Sequence, residues 1–239
     1  MPAREKVLFS WSGGKDSALA LHELLRDDRY EVTALLTTLA EGFRRVSHHG
    51  VREELLDRQA ESIGLPLEKV YFPVHPTHAC TNSEYEEIMG RVLRKFKDQG
   101  VTLVGHGDIN LQDLRDYRER NLATIGLRGV YPLWQRPTTR VMDDFIRQGF
   151  KAHVTCVDGQ RLGGEFAGRL LDADFVSDLP SGVDPAGENG EYHSFVFAGP
   201  ILRTSIPVRV SEIVAIDKRY YAELLSGDAP AEPVSIPPV

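Results

Sequence analysis

Short apolar runs alternate with stretches of helical period along residues 1–135. Residues 7–10 form the first run. Beyond two glycines, the pattern Ala18-Leu19-Ala20-Leu21-His22-Glu23-Leu24-Leu25 predicts a helix. Residues 32–37 are again mostly apolar, as expected of a strand buried on both faces. After a polar loop at 41–49, Val51, Leu55, Ala60 and Ile63 share one face of a predicted helix, which Gly64 and Pro66 end. A strand at 70–74 follows. Thr81 with Glu84, or Ser83 with Glu86, then forms a capping box that opens a helix ending near Gly100. A strand at 101–104, a helix at 111–125 and a strand at 130–134 complete the series. Such alternation implies a parallel sheet with right-handed crossovers and helices on both faces, a Rossmann-like α/β domain over residues 1–135.

From residue 136 the pattern changes. A helix at 141–148 leads into a strand at 150–157, and a glycine-rich stretch precedes strands at 192–197, 206–210 and 212–216. Residues 136–228 are therefore expected to form a smaller α+β lobe, and the proline-rich residues 229–239 a loose tail.

Bulk properties narrow the possibilities. With 239 residues, 41% hydrophobic and 26% charged, the chain has ample length for a core. A formal charge of -7 and a pI near 5.6 argue against nucleic acid as the main partner. No apolar run has the length of a membrane span and no signal peptide is visible. The two cysteines, Cys80 and Cys156, lie far apart without a Cys-x-x-Cys pattern, which excludes a disulfide framework and a cysteine zinc site. The expected location is the cytoplasm.

The stretch with the most chemistry is Ser12-Gly13-Gly14-Lys15-Asp16-Ser17, set between the first strand and the first helix. Such a turn aims backbone N–H groups and a helix N-terminus at one spot, which favours an anion. The glycines allow close approach of phosphate oxygens, Lys15 adds a point charge, and Ser12 and Ser17 add hydroxyls. The Gly-x-x-x-x-Gly-Lys-Ser/Thr pattern of P-loop proteins is absent. The ends of the strands at 7–10, 32–37 and 101–104 lie at one edge of a parallel sheet, so Thr37 and Gly105-His106-Gly107-Asp108 converge on the turn. Gly187-Glu188-Asn189-Gly190-Glu191-Tyr192-His193-Ser194 is a second unusual cluster. Asn189-Gly190 reads as a hairpin turn with solvated glutamates. Alternatively, Glu188 and Glu191 hold an amine, bind Mg²⁺ or act as a base, and spacing leaves these open.

The hexapeptide resembles the SGGKDS signature of the PP-loop ATPases, which cleave ATP between its α- and β-phosphates. Together the stretches resemble the diphthine–ammonia ligase family of that superfamily, in particular its bacterial-type branch. The resemblance rests on Ser12 to Ser17, His49-Gly50-Val51-Arg52, Gln59-Ala60, Gly107-Asp108 and Asp113-Leu114-Arg115-Asp116-Tyr117-Arg118. It continues with Tyr131-Pro132-Leu133-Trp134, Gly149-Phe150-Lys151-Ala152, and Asp184-Pro185 followed by Gly187 to Glu191. Two positions depart from the pattern. Ala186 stands where many relatives have cysteine, which removes any thiol there, and His48 stands where the bacterial-type pattern has methionine.

The resemblance implies a PP-loop fold of the HUP type and ATP-dependent amide synthesis. A carboxylate is adenylated with release of pyrophosphate, and ammonia then displaces AMP. It implies nucleotide contacts at Ser10, Ser12, Gly13, Gly14, Lys15, Asp16, Ser17, Thr37 and Gly107, with the main chain near Thr37 at the adenine edge. Asp16 is expected to coordinate Mg²⁺ or to cap the helix, Asp108 to contact Mg²⁺ or substrate or to cap the following helix, and His49 is placed at the α-phosphate. The acceptor side falls to Arg118, Glu188, Asn189, Glu191 and His193, with Lys15, Asp16, His49, Asp108, Glu188 and Glu191 as the reactive set. The expected ligands are ATP, Mg²⁺, ammonia and a carboxylate. Two other readings compete: a nucleotide-binding sensor without turnover, and a PP-loop enzyme that modifies tRNA. The missing cysteine pair and the acidic charge weigh against the second.

Overall fold

The computed structural model describes residues 3–46, 50–74 and 80–227. Its first half is built on β1 (Glu5–Ser10), α1 (Lys15–Arg26), β2 (Tyr30–Ala40), β3 (Arg45–Val46), α2 (Glu53–Ile63) and β4 (Leu67–Phe72). α3 (Asn82–Asp98), β5 (Leu103–Gly105), α4 (Gln112–Thr124) and β6 (Arg128–Val130) follow. β1 is parallel to β2 and β5, β4 is parallel to β2, and β6 is parallel to β5. Leu35 and Leu36 of β2 pair with both β1 and β4, so those two strands lie on opposite edges of β2. The parallel order is therefore β4-β2-β1-β5-β6, with β3 antiparallel against the end of β2. The chain winds outward from β1 and then returns to its other side, so the switch of direction falls between β1 and β5.

Each sheet face has its own cover. α1 and α2 bury Leu19, Leu21, Leu55 and Leu56 on one face, and α3 and α4 bury Leu93, Phe96 and Leu122 on the other. Thr81 caps α3 in a full capping box with Glu84, the first of the two expected pairs. The second half contains α5 (Thr138–Arg147), β7 (Lys151–Asp158), α6 (Ala173–Ser177), β8 (Tyr192–Ala198), β9 (Val208–Ile216) and β10 (Arg219–Ser226). Its sheet is antiparallel in the order β8-β7-β10-β9. Val154, Phe195 and Val196 of that sheet share one apolar cluster with α1 and α2. The antiparallel sheet thus packs on the α1/α2 side and brings β8 up to the turn after β1.

Several elements differ from expectation. β3 lies inside the expected polar loop, and the strand expected at 130–134 ends at Val130 because Trp134 N–H turns back to Tyr131 C=O. The two strands expected at 206–210 and 212–216 are one, β9. Its partner β10 is absent from the sequence reading: Ala222-Glu223-Leu224-Leu225 consists of helix formers, and the joining residues Asp217 and Lys218 both take positive φ (46° and 65°) without a glycine. Asn189-Gly190 does not join two strands of a hairpin, because β8 pairs with the distant β7.

Charged groups fix the edge of the parallel sheet. The buried Glu223 carboxylate on β10 accepts from Arg45 Nη1 at 2.9 Å, Arg45 Nη2 at 3.1 Å and Arg52 Nε at 2.5 Å. Such a triad specifies how β3 and β10 meet more than it adds net stability. Nearby, Glu53 accepts from Arg44 at 3.0 Å, Lys69 at 2.8 Å and Tyr71 at 2.8 Å. Burial pushes the Glu53 pKa up, but those three hydrogen bonds outweigh it and hold the carboxyl at about 2, against 4.5 ordinarily. The folded state therefore refuses a proton that the unfolded chain takes. The stability is present above pH 4.5 and is lost as pH falls through the window to about 2. We expect Glu53→Gln to flatten this acid limb by about 2 kcal/mol, measured as urea-unfolding free energy against pH. Identical acid limbs in the two proteins would contradict it.

Candidate active site

The turn after β1 is shaped by what lies behind it. Gly13 has a φ of +78°, and a Cβ there would lie 2.6 Å from Gln59 Oε1 and 2.8 Å from Leu56 Cδ2. Gln59, fully buried on α2, donates to Gly13 C=O at 3.0 Å and Val196 C=O at 2.7 Å, and accepts from Trp11 Nε1 at 3.0 Å. Val196 N–H donates to the same Gly13 carbonyl at 2.9 Å. One amide thus joins β1, α2 and β8 beneath the turn. Ser17 donates to Gly14 C=O at 2.9 Å, the Gly14 N–H reaches Ser12 Oγ at 3.3 Å, and Lys15 N–H donates to Ser194 Oγ at 3.1 Å. Lys15 is only 4% exposed; its Nζ pairs with Asp16 at 2.8 Å and lies 5.0 Å over the Tyr192 ring. The other Asp16 oxygen, Oδ1, is buried and has no hydrogen-bond partner among the described residues.

The loop after β5 closes against this cradle. A Cβ on Gly107 would come within 2.9 Å of Asp16 C and Ser17 N, so only glycine lets that backbone touch the first turn of α1. Next to it, Asp108 pairs with Arg118 Nε of α4 at 2.9 Å. Burial pushes the Asp108 pKa up, while Arg118 pulls it down. The loop before β8 forms the third wall. Glu188 accepts from Ile109 N–H at 3.1 Å and Asn110 N–H at 2.8 Å. Burial raises its pKa; the two N–H groups oppose that, and the Asp16 charge adds to it. Asp184 organises the loop, accepting from Ala186 N–H at 2.8 Å and from the Thr138 hydroxyl at 2.7 Å.

These walls enclose a cavity of about 1110 Å³. Ser10, Ser12, Gly14, Lys15, Asp16, Ser17, Thr37, Gly107, Asp108, Arg118, Glu188, Asn189 and His193 line it. It lies at the carboxyl ends of β1, β2 and β5, where the strand order reverses, the place where open parallel sheets bind ligands. The polar turn after β1, an acidic loop and an apolar side against α3 and α4 share this one space. Residues 5–129 match the diphthamide synthase N-terminal domain, and residues 137–224 match the diphthamide synthase C-terminal domain.

The chain belongs to the diphthamide synthase family. It is 26% identical over 231 residues to a diphthine–ammonia ligase of Bos taurus, covering 85% of this chain and 82% of that protein. Against the diphthine–ammonia ligase of Homo sapiens the identity is 25% over 229 residues, with the same two coverages of 85% and 82%. A Schizosaccharomyces pombe diphthine–ammonia ligase is 24% identical over 226 residues; the alignment spans 87% of this chain and 37% of that longer protein.

In this diphthamide synthase family member, two expected site residues stand apart from the cavity wall. Gly13 sits behind it, where its conformation sets the turn. Glu191 is fully buried: Oε1 accepts from Asp184 N–H and Asn189 Nδ2, and Oε2 from Asn189 N–H. The solvated reading of Glu191 is thereby corrected, because the loop wraps its own donors around the carboxylate. His49 and the neighbouring His48 lie outside the described residues, as does the tail at 229–239. Gln59, His106, Tyr192 and Ser194 belong to the site but were not singled out as site residues from the sequence. Ser194 and Tyr192 lie inside the second cluster, and Gln59 is part of a stretch that carried the resemblance. His106 adjoins Gly107-Asp108, but a lone histidine carries no signal without its burial.

The described residues contain no group of three or more His, Cys, Asp or Glu side chains placed to hold a metal ion, and no helix long and apolar enough to cross a membrane.

Proposed function

We propose that this protein is an ATP-dependent ligase that converts a carboxylate into a carboxamide with ammonia, releasing AMP and pyrophosphate. The observation that carries this reading is the anion cradle and the acidic Glu188 loop opening into one cavity at the sheet's switch point. The names of the relatives, diphthine–ammonia ligases, support the amide-forming chemistry.

In the first step a carboxylate oxygen of the acceptor bonds to the α-phosphorus and the bond to the bridging oxygen breaks, so pyrophosphate leaves with that electron pair. Gly14, Lys15 and Ser17 hold the departing charge, with the Lys15 ammonium already buried and fixed before reaction. In the second step ammonia bonds to the acyl carbon, the acyl–oxygen bond breaks, AMP leaves and one proton is released. Glu188, whose proton affinity burial raises, holds the incoming ammonium and takes its proton. Asp108 keeps Arg118 oriented at the cavity wall for the acceptor carboxylate. Mg²⁺, when bound with ATP, neutralises phosphate charge. It needs only one or two protein carboxylates, which the unpartnered Asp16 Oδ1 fits. Glu191 shapes the acceptor loop and takes no proton. The acceptor is a carboxylate, free or on a protein side chain; diphthine, the substrate in the relatives' name, is of that class.

Nucleotide chromatography after incubation with Mg-ATP, ammonium and a diphthine-bearing protein or a cell extract tests the reading. AMP and pyrophosphate are expected in equal amounts, with carboxamide formation dependent on ammonium. ADP and phosphate as the products would reject it.

A further inference from the structure

His106 stands just past the carboxyl end of β5, in the cavity wall and 5% exposed. Its backbone N–H donates to Val130 C=O at 3.0 Å, and its ring stacks on Tyr131 with centroids 5.4 Å apart. Arg115 lies 4.7 Å over the Tyr131 ring. Among the described residues, neither His106 Nδ1 nor Nε2 has a hydrogen-bond partner. An uncharged imidazole carries one N–H donor and one acceptor nitrogen. A buried polar ring left without partners is unfavourable, and a ligand that meets it recovers that cost.

The surroundings indicate which part of a ligand this is. Gly107, the next residue, packs on the first turn of α1, so His106 is one residue removed from the phosphate cradle. The cavity lining includes polar residues, Glu188 and Asn189, and apolar ones, Leu36, Leu93, Val104 and Leu122, and His106 follows Val104 and Gly105 at the end of β5. ATP held by its β- and γ-phosphates leaves its α-phosphate and the nucleoside bonded to it outside the cradle, and the apolar lining suits that nucleoside. We propose that His106 is a specificity-determining residue that hydrogen-bonds the nucleoside half of ATP, at the base edge or at a ribose hydroxyl. The inference rests on the reading of the cavity as an ATP site.

Isothermal titration of wild type and His106→Phe with Mg-ATP, inorganic triphosphate, 2′-deoxy-ATP and 3′-deoxy-ATP tests it. Phenylalanine keeps the stack on Tyr131 and removes both nitrogens. The Kd for ATP is expected to rise about ten- to a hundredfold, while that for triphosphate stays within about twofold. A wild-type preference for ATP over one deoxy analogue that vanishes in the variant places the contact at that hydroxyl. A preference that persists alongside weaker binding places it at the base. An unchanged ATP affinity, or equal losses for ATP and triphosphate, would overturn the inference and leave the ligase reading standing. Wild-type protein that binds neither ligand would overturn both. If the phenylalanine variant fails to fold, His106→Leu is put through the same comparison and judged by the same outcomes.

Discussion

Lys15→Ala is expected to lower the rate of AMP formation about a thousandfold while raising the Kd for ATP only about tenfold. Both figures follow from where the charge sits. The ammonium is 4% exposed, paired with Asp16 at 2.8 Å and backed by the Tyr192 ring, so it is fixed in a poorly hydrated place before any nucleotide arrives. A preorganised donor of this kind loses little by reorganising. It gains most when charge accumulates on the leaving pyrophosphate, which is why its removal costs on the order of a hundred- to a thousandfold in rate. Ground-state binding suffers less, because the backbone N–H groups at the start of α1 remain. Lys15→Arg is not expected to rescue, since a planar guanidinium spreads the charge that the compact ammonium focuses between Asp16 and the Tyr192 ring. The check is the initial rate of AMP release under saturating ATP, with thermal unfolding measured in parallel. A folded Lys15→Ala protein that turns over at the wild-type rate would remove the cradle from the mechanism.

The turn between β1 and α1 could be read from the chain because its parts are contiguous. Six residues carry the turn, the charge and the hydroxyls, and the apolar run before them fixes the strand they follow. The parallel sheet was legible for a similar reason, since a fully buried strand writes a short apolar run and α1 writes its own period. What was not legible depends on contacts between distant segments. Gln59 reads as a polar residue on a helix; only the approach of β8 makes its amide the joint beneath Gly13. Glu191 reads as a solvated acid until three N–H groups are seen around it. β10 was missed because local propensity points to a helix, and pairing with β7 and β9 overrides it. His106 differs again: its residue type is unremarkable, and its interest lies in burial without partners.

Glu191→Gln is expected to cut carboxamide formation at least about a hundredfold while leaving the Kd for ATP within about threefold. All three groups that reach Glu191 are N–H donors: Asp184 N–H at 3.2 Å, Asn189 N–H at 2.9 Å and Asn189 Nδ2 at 3.1 Å. A carboxylate accepts them all. A glutamine turns its own NH₂ toward at least one of them, replacing an attraction with a repulsion in a fully buried place, at a cost of about 2–3 kcal/mol. The segment from Asp184 to Glu191 then loses its shape, and Glu188 is drawn away from Ile109 and Asn110, where it faces the cavity. The cradle keeps its own supports, Gln59 and Ser194, which explains why nucleotide binding survives. The pH profile separates positioning from proton transfer. Glu188→Gln should remove the acid limb of the rate profile, because the group that titrates is gone. Glu191→Gln should lower the whole profile and keep the acid limb, moved to higher pH because Glu188 loses the two N–H groups that lower its pKa. If Glu191→Gln erases that limb instead, Glu191 itself moves the proton, and the division of roles in this loop is reversed. If it weakens ATP binding in step with turnover, the loop belongs to the nucleotide and not to the acceptor.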